Sequence, residues 1–238
     1  MSRKKQLCAL LVGGSMCLAG CGGTSDVECA EKTKALEGKK IVFLGSSVTY
    51  GSASGGWSMC EYLSEEYGCN VTKLAESGTT LVKEKAFDQS YVNRLDFSKA
   101  ILKDLDHFIC QLSTNDAAYQ KPLGVISDST DINSFDTTTI IGAIEYIVAT
   151  VQQEWACPMS FYTNSYFDNE YYRAMVQALY KVQEKWGIGI LDLYNDTEFN
   201  NISEKLYQQY MSDIIHPTVD GYKMWYGPKF VEHLLKYI

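Results

Sequence analysis

Four short polar segments contain the residue types that acyl transfer through a serine ester requires. They offer a serine hydroxyl, a histidine base, a carboxylate and amide N–H groups that can stabilise a negative oxygen. The segments are Gly45-Ser46-Ser47-Val48-Thr49, Glu76-Ser77-Gly78-Thr79-Thr80, Ser113-Thr114-Asn115-Asp116 and Asp213-Ile214-Ile215-His216-Pro217. Such chemistry requires that the fold bring all four segments together.

His216 is the best candidate for the base among the three histidines of the chain. His107 lies in an apolar run, and His233 has no acidic residue three positions before it. The spacing between Asp213 and His216 lets one tight turn bring the carboxylate to one imidazole nitrogen while the other nitrogen faces a serine. We therefore predict His216 as the base and Asp213 as its orienting carboxylate.

The elements that must position these residues alternate between strands and helices. Five short apolar runs predict strands at 41–44, 70–74, 105–112, 158–163 and 187–193. Helical spacing of apolar residues predicts helices at 57–67, 138–155, 168–186 and 219–237. Continuous apolar strands separated by amphipathic helices predict an α/β fold, a three-layer α/β/α sandwich around a five-stranded parallel sheet. Reactive groups belong at the carboxyl ends of such strands, where three of the polar segments lie.

The composition is that of a soluble globular protein with one core, two small domains being the alternative. The chain has 238 residues, 46% of them hydrophobic, and a formal net charge of −8. This charge argues against a nucleic-acid partner. No cysteine pair or Cys/His cluster has zinc-ligand spacing, so no metal is expected. The chain also lacks GxSxG, GxGxxG and P-loop patterns, which argues against an α/β-hydrolase nucleophile elbow, a dinucleotide and a nucleoside triphosphate.

The polar segments resemble, in order, the four signature blocks of the SGNH (GDSL-type) hydrolase family of esterases and lipases. The family's blocks are Gly-Asp-Ser with a following apolar residue and Thr or Ser, a glycine, Gly-x-Asn-Asp, and Asp-x-x-His-Pro. They fall on 45–49, Gly78, 113–116 and 213–217, and the last block matches without change. The resemblance covers nearly the whole domain and implies the flavodoxin-like fold of that family. The chain departs from the blocks at Ser46, where the family usually has Asp, and at Ser113, where Gly is common.

The resemblance implies a role for each matched residue. Ser47 is the nucleophile by register, with Ser46 as the alternative, and since neighbouring residues point in different directions only one of the two can face His216. The backbone N–H groups of Ser47 and Gly78 and the side-chain amide of Asn115 form the oxyanion hole. Water would then hydrolyse the acyl-enzyme with His216 as base, so no cofactor is expected.

The N-terminus predicts export. Basic residues precede an apolar stretch over 7–20 that is too short for a membrane span of about 20 residues, and Leu18-Ala19-Gly20-Cys21 ends it. This ending resembles a bacterial lipoprotein signal, which implies removal of 1–20, lipid attachment at Cys21 and anchoring to a bacterial membrane outside the cytoplasm. An ordinary signal peptide or a buried N-terminal helix is the alternative. Residues 21–38 are expected to form a flexible tether and 39–238 the hydrolase domain.

Disulfide bonds are allowed outside the cytoplasm. Cys60 and Cys69 could close a short loop between a helix and a strand, whereas Cys110 and Cys157 lie in apolar runs that predict buried thiols. The sequence leaves the pairing open.

The expected substrate is a short acyl ester, acetyl foremost, of an extracellular carbohydrate or glycan. The segment 50–57 is small, is expected to be flexible, and offers no long apolar lid for a fatty chain. Tyr50, Trp57, Tyr119 and Tyr166 could stack on sugar rings or simply pack loops. The alternatives are a lipase or acyltransferase of the same family and a surface lipoprotein that binds carbohydrate without reacting.

Overall fold

A single five-stranded parallel sheet organises the chain in the computed structural model, which describes residues 24–238. The strands are β1 (Lys40–Gly45), β2 (Asn70–Ala75), β3 (His107–Gln111), β4 (Met159–Tyr162) and β5 (Gly189–Leu191). Their spatial order is β2-β1-β3-β4-β5, and every neighbouring pair is parallel. The strand prediction and the predicted fold class are confirmed.

Strand β1 is apolar from Ile41 to Leu44 because helices cover both faces of the sheet. Along β1, Val42 and Leu44 pack into one hydrophobic core, and Ile41 and Phe43 pack into the other. Successive side chains of a strand point to opposite faces, so a strand buried on both sides needs an uninterrupted apolar run. The strands were predicted from the sequence by such apolar runs.

The helices are numbered in chain order. They are α1 (Thr24–Leu36), α2 (Ser47–Tyr50), α3 (Met59–Tyr67), α4 (Tyr91–Ser98), α5 (Thr114–Ala118), α6 (Ile140–Glu154), α7 (Glu170–Trp186), α8 (Glu204–Tyr210), α9 (Val219–Gly221) and α10 (Gly227–Leu234). Helices α4, α6 and α7 pack on one side of the sheet, whereas α3 and α10 pack on the other. None of the helices described between residues 24 and 238 is long and apolar enough to cross a membrane.

The last predicted helix, 219–237, is three segments rather than one. A π-helical turn over Tyr222–Tyr226 separates α9 from α10, which has a proline in its first turn. Proline lacks the N–H that would continue the hydrogen-bond ladder, so the helix changes register before Pro228. Helices α4, α5 and α8 were not predicted, because five to eight residues carry too little periodicity to be recognised.

The flexible tether expected over 21–38 needs correction, since α1 occupies most of it. This segment contains neither proline nor glycine between 24 and 37 and is rich in alanine, glutamate and lysine, which favour helix. Glu28 and Lys32 form an ion pair one turn apart, and Leu36 is fully buried in the second core. The predicted signal at 1–20 and the lipidation site Cys21 lie outside the described residues.

The strand order places a topological switch point beside β1. The order 2-1-3-4-5 changes direction between β1 and β3, and open α/β sheets bind ligands outside the carboxyl ends of the strands at such a point. Ser47 directly follows β1, and Asn115 follows β3. Two of the predicted site residues therefore lie at the switch point.

Candidate active site

The first site residue, Ser47, opens helix α2 two residues after β1 ends. The turn is tight at Gly45: a Cβ there would lie 1.8 Å from Thr49 Oγ1 and 2.8 Å from Gln111 Oε1. Glycine is thus needed at this position for close approach of the backbone to its neighbours. The turn leaves Ser47 only 6% exposed.

His216 and Asp213 complete a hydrogen-bonded line with Ser47. His216 Nε2 lies 2.8 Å from Ser47 Oγ, and His216 Nδ1 lies 2.8 Å from Asp213 Oδ2. The backbone N–H groups of Ile215 and His216 donate to Asp213 Oδ1 at 2.7 and 2.9 Å, which folds 213–216 into the expected tight turn. The three residues therefore have the contacts of a nucleophile, a base and an orienting carboxylate.

The Asp213 carboxyl is held in its charged form. Burial raises its pKa, but hydrogen bonds from the His216 ring and from the backbone N–H groups of Ile215 and His216 outweigh burial and leave the pKa below its usual value. A charged carboxylate at Nδ1 fixes the tautomer in which Nδ1 carries the proton. Nε2 is then the nitrogen that can accept the proton of Ser47.

The neighbouring serine has different contacts. Ser46 is fully buried, and its backbone N–H donates to Gln111 Oε1 at 2.9 Å. It makes no hydrogen bond with His216. The structure thus places Ser47, the residue chosen by register, against the base.

The two remaining oxyanion candidates lie side by side. The side-chain amide of Asn115 donates to the backbone carbonyl of Thr79 at 2.8 Å, next to Gly78 in the chain. Gly78 is exposed, has φ of +79°, and a Cβ there would meet no heavy atom within 4 Å. Its backbone therefore borders open space beside Asn115. The assignment of Ser47, Gly78 and Asn115 as donors to an oxyanion stays a prediction.

The loop that carries Gly78, residues 76–82, is fixed by buried polar side chains. Asp116 accepts hydrogen bonds from the backbone N–H groups of Leu81 at 2.7 Å and Val82 at 3.3 Å. Arg94 donates to the carbonyl of Gly45 at 3.0 Å and pairs with Glu76. Arg94 thus ties this loop to the end of β1.

Burial raises the pKa of Asp116 to about 6, against the opposing effect of its hydrogen bonds from Ser113, Leu81 and Val82. No role was predicted for this aspartate from the sequence. Its place in the third polar segment was the signal that could have found it.

The turn that carries His216 is supported from β4. Asn164 follows that strand, is fully buried, and donates its side-chain amide to the carbonyl of Ile215 at 3.2 Å. The sequence analysis missed this residue. Asn164 could have been identified from its position after the predicted apolar strand 158–163, since polar residues at that edge of the sheet face the site.

The other two histidines are far from the site in the fold. His107 and His233 both contact Ser160 Oγ, at 3.0 and 2.8 Å, in the interior near the amino ends of β3 and β4. Burial lowers the pKa of His107 to about 3 and that of His233 to about 4. Both rings are therefore neutral near pH 7, and they form hydrogen bonds within the protein interior.

The segment after Ser47 is ordered by hydrogen bonds, which corrects the expectation of a flexible loop over 50–57. Lys73 donates to the carbonyls of Gly56 at 2.7 Å and Tyr50 at 3.2 Å. The Ser54 hydroxyl donates to the carbonyl of Gly51 at 3.0 Å. Lys73, on the edge strand β2, therefore holds the loop 50–57 in place. Because Lys73 is distant from this loop in the sequence, the local composition of the loop does not predict the contact.

The four aromatic residues proposed for sugar stacking differ in availability. Tyr50, Tyr119 and Tyr166 are 43%, 59% and 47% exposed. Trp57 lies under the ammonium group of Lys223, 4.9 Å from its ring centroid, and donates its indole N–H to Glu65. One face of Trp57 is thus already covered.

Two further expectations concern cysteine and metal. Cys60, Cys69, Cys110 and Cys157 are free thiols, so the open Cys60–Cys69 pairing is not formed, and of the two predicted buried thiols Cys110 is buried whereas Cys157 is half-buried. Within residues 24–238, no group of three or more potential metal ligands is found.

A cavity of about 500 Å³ lies away from the triad. It is lined by residues at the amino ends of β1 and β2, among them Lys40, Ile41, Asn70 and Val71. Ser47, Asp213 and His216 lie at the opposite, carboxyl end of the sheet.

Comparison with known proteins agrees with this geometry. Over residues 43–224 the chain matches the model of the GDSL-like lipase/acylhydrolase family. Solved structures with a similar fold include a protein from Lactobacillus plantarum, with TM-score 0.69 and 20% identity over 85% of this chain and 99% of that one. A GDSL-like lipase from Bacteroides uniformis has TM-score 0.59 and 20% identity over 82% and 94% of the two chains.

The aryl esterase of M. smegmatis has TM-score 0.59 and 15% identity over 84% of this chain and all of its own. No curated protein matches the chain. Since the family model spans most of the 238 residues, the chain belongs to the GDSL-like lipase/acylhydrolase family, the SGNH serine hydrolases.

Proposed function

We propose that the protein hydrolyses short acyl esters of carbohydrates through a Ser47 acyl-enzyme, with His216 as general base and Asp213 as its orienting carboxylate. The observation that carries this proposal is the continuous line of 2.8 Å contacts from Asp213 through His216 to Ser47. Membership of an acylhydrolase family supports the same reaction class.

In the first step, His216 Nε2 takes the proton of Ser47 Oγ as that oxygen attacks the ester carbonyl carbon. The charged Asp213 stabilises the imidazolium that forms. His216 then donates the proton to the leaving alcohol as the carbon–oxygen bond of the ester breaks. The acyl group remains on Ser47.

In the second step, His216 removes a proton from water as the water oxygen attacks the acyl carbon. The bond from that carbon to Ser47 Oγ then breaks, His216 returns the proton to Ser47 Oγ, and the carboxylic acid is released. The negative oxygen formed in each step needs donors, and we assign this role to the N–H groups of Ser47 and Gly78 and the amide of Asn115. Losing one such donor typically lowers kcat by about 10²–10³-fold.

Three exposed tyrosines support a carbohydrate as the alcohol part. Tyr50, Tyr119 and Tyr166 follow β1, β3 and β4, which are adjacent in the sheet, so the residues lie along the edge that carries the triad. Exposed aromatic rings in a row offer stacking faces for sugar rings. The fixed turn over 50–57 provides no long apolar cover for a fatty chain.

The activity test compares p-nitrophenyl esters from C2 to C12 with acetate release from acetylated xylan and peptidoglycan, using Ser47→Ala as control. We expect kcat/KM to be greatest for C2 or C4, with acetate released from a glycan. A maximum at C8 or longer without acetate release favours a lipase. Turnover that rises with added sugar acceptor favours an acyltransferase, and glycan binding without turnover favours a non-catalytic binder.

We also propose that the protein is exported and held at a bacterial membrane by lipid on Cys21. The basic start, short apolar run and Leu-Ala-Gly-Cys ending of the sequence support this. A tethered site outside the cytoplasm would meet polymeric glycans rather than cytoplasmic thioesters.

A further inference from the structure

One buried oxygen atom organises the backbone on both sides of Ser47. Gln111, the last residue of β3, has no exposed surface, and its Oε1 accepts the backbone N–H of Ser46 at 2.9 Å. The same oxygen accepts the backbone N–H of Thr49 at 3.3 Å and the Thr49 hydroxyl at 2.8 Å. Ser46 and Thr49 bracket the predicted nucleophile, so this single acceptor fixes both ends of its turn.

The 46–49 turn does not provide this acceptor from its own capping residue. Ser46 occupies the N-cap position of α2, but its side chain makes no capping hydrogen bond. The neighbouring strand therefore supplies the acceptor that a capping side chain would otherwise provide. Ser46 is also where the chain departs from the family's Gly-Asp-Ser block.

A second strand extends the support. The Thr49 hydroxyl lies 2.6 Å from the hydroxyl of Tyr162, the last residue of β4. Since the one proton of Thr49 Oγ1 is donated to Gln111, the Tyr162 hydroxyl donates to Thr49. The ends of β3 and β4 are thus joined to the nucleophile turn through Thr49.

Gln111 contributes its oxygen and little else. Its amide nitrogen is buried and has no hydrogen-bond partner among the residues that the structure describes. A buried, unpaired N–H group destabilises a fold. The side chain is therefore poorly suited to a purely stabilising role, whereas its oxygen is directed at the turn that presents Ser47.

We propose that Gln111 is a positioning residue for the nucleophile: its Oε1 holds the 46–49 turn so that Ser47 Oγ meets His216 Nε2. The proposal rests on the proposed function, in which Ser47 is the nucleophile. Gln111 touches neither the substrate nor the reacting atoms. Its effect acts through geometry, and a misplacement of about 1 Å can cost 10²-fold in rate.

Three variants test the proposal. Gln111→Met keeps the length and burial of the side chain but removes the acceptor, and we expect kcat for p-nitrophenyl acetate to fall by about 10²-fold with KM within threefold. Gln111→Glu keeps an oxygen at the same position and should restore kcat to within tenfold of the wild type. Thr49→Val removes one of the four donors to Gln111 Oε1, the others being the two backbone N–H groups and the Ser46 hydroxyl at 3.4 Å, and should lower kcat by a smaller factor than Gln111→Met.

The matched control is Thr150→Val, which removes another fully buried hydroxyl, in helix α6, that has no hydrogen-bond partner. We expect it to leave kcat unchanged. The thermal unfolding temperature of each variant shows whether that variant is folded. A lower kcat in a folded variant is then assigned to loss of positioning. The rate of fluorophosphonate labelling should fall in Gln111→Met in proportion to kcat, because the reagent requires the same Ser47–His216 contact.

Folded Gln111→Met with wild-type kcat and labelling rate would overturn the proposal, and so would equal losses in Gln111→Glu and Gln111→Met. If Gln111→Met does not fold, Thr49→Val decides: an unchanged kcat counts against positioning. Failure of the proposed function is seen separately, because Ser47→Ala would then retain the wild-type rate.

Discussion

His216 Nε2 lies 2.8 Å from Ser47 Oγ although the two residues are 169 positions apart in the chain. The contact exists because Ser47 follows the interior strand β1 and because the turn 213–216 is attached to the end of β4 through Asn164. The sheet thus joins residues that no local segment could bring together.

The first prediction concerns the triad as a unit. Ser47→Ala and His216→Ala should lower kcat by about 10⁴ or more, and Asp213→Ala by less, because each depends on the same proton transfer. Steady-state kinetics on an acetyl ester measure this. The Ser47→Ala/His216→Ala double variant should lose no more than either single variant, and additive losses would argue against a shared step.

The second prediction concerns the tight turn at Gly45. Gly45→Ala should abolish activity or prevent folding, since its Cβ would lie 1.8 Å from Thr49 Oγ1 in the turn that presents Ser47. Gly38→Ala is the control: its Cβ would meet no atom within 4 Å, and its positive φ of 74° should cost stability, on the order of 1–2 kcal/mol, without a change in kcat. Comparable kcat losses in the two variants would contradict the steric explanation.

Much of this site follows from the sequence because polar residues interrupt apolar strands at their carboxyl ends. Ser47 and Asn115 could be predicted for that reason, whereas the Asp213–His216 pair was predicted from its spacing, and the structure brings Ser47, Asp213 and His216 into contact. Interior strands such as β1 were predictable because burial on both faces demands uninterrupted apolar runs, whereas the edge strand β2 also carries polar residues.

The supports of the site could not be predicted in the same way. Gln111 lies 62 positions from Thr49, and Asn164 lies 51 from Ile215, so their partners depend on strand order. Helix α1 was missed for another reason: a mostly polar helix whose last residue, Leu36, is buried has almost no apolar period.

The third prediction concerns stability in acid. The pKa of His233 is lowered to about 4 in the folded protein, so between about pH 6.5 and 4 the unfolded chain binds a proton that the folded protein does not. Stability from this residue is therefore complete above pH 6.5 and is lost as the pH falls, by about 1.4 kcal/mol per pH unit.

Urea unfolding at pH 7 and pH 5 checks this against His233→Gln. The variant should be less stable at pH 7, because Ser160 loses a partner, but its stability should fall less steeply toward pH 5. Parallel pH dependence in the two proteins would show that His233 does not contribute to acid sensitivity.

The fourth prediction concerns Cys21. Cys21→Ala in the full chain should abolish incorporation of labelled fatty acid in a bacterial host, because lipid attachment needs the thiol. Cys29→Ala is the matched control and should remain labelled. Lipid labelling that survives the Cys21→Ala change would contradict the proposed anchor.

The most direct test of the central claim is fluorophosphonate labelling followed by mass-spectrometric mapping of the modified residue. The reagent forms a covalent bond only with a serine whose proton is accepted by a neighbouring base. We expect one label per chain, on Ser47, and none in His216→Ala. A label on Ser46, or no label on the folded wild-type protein, would contradict the assignment of Ser47 as the nucleophile.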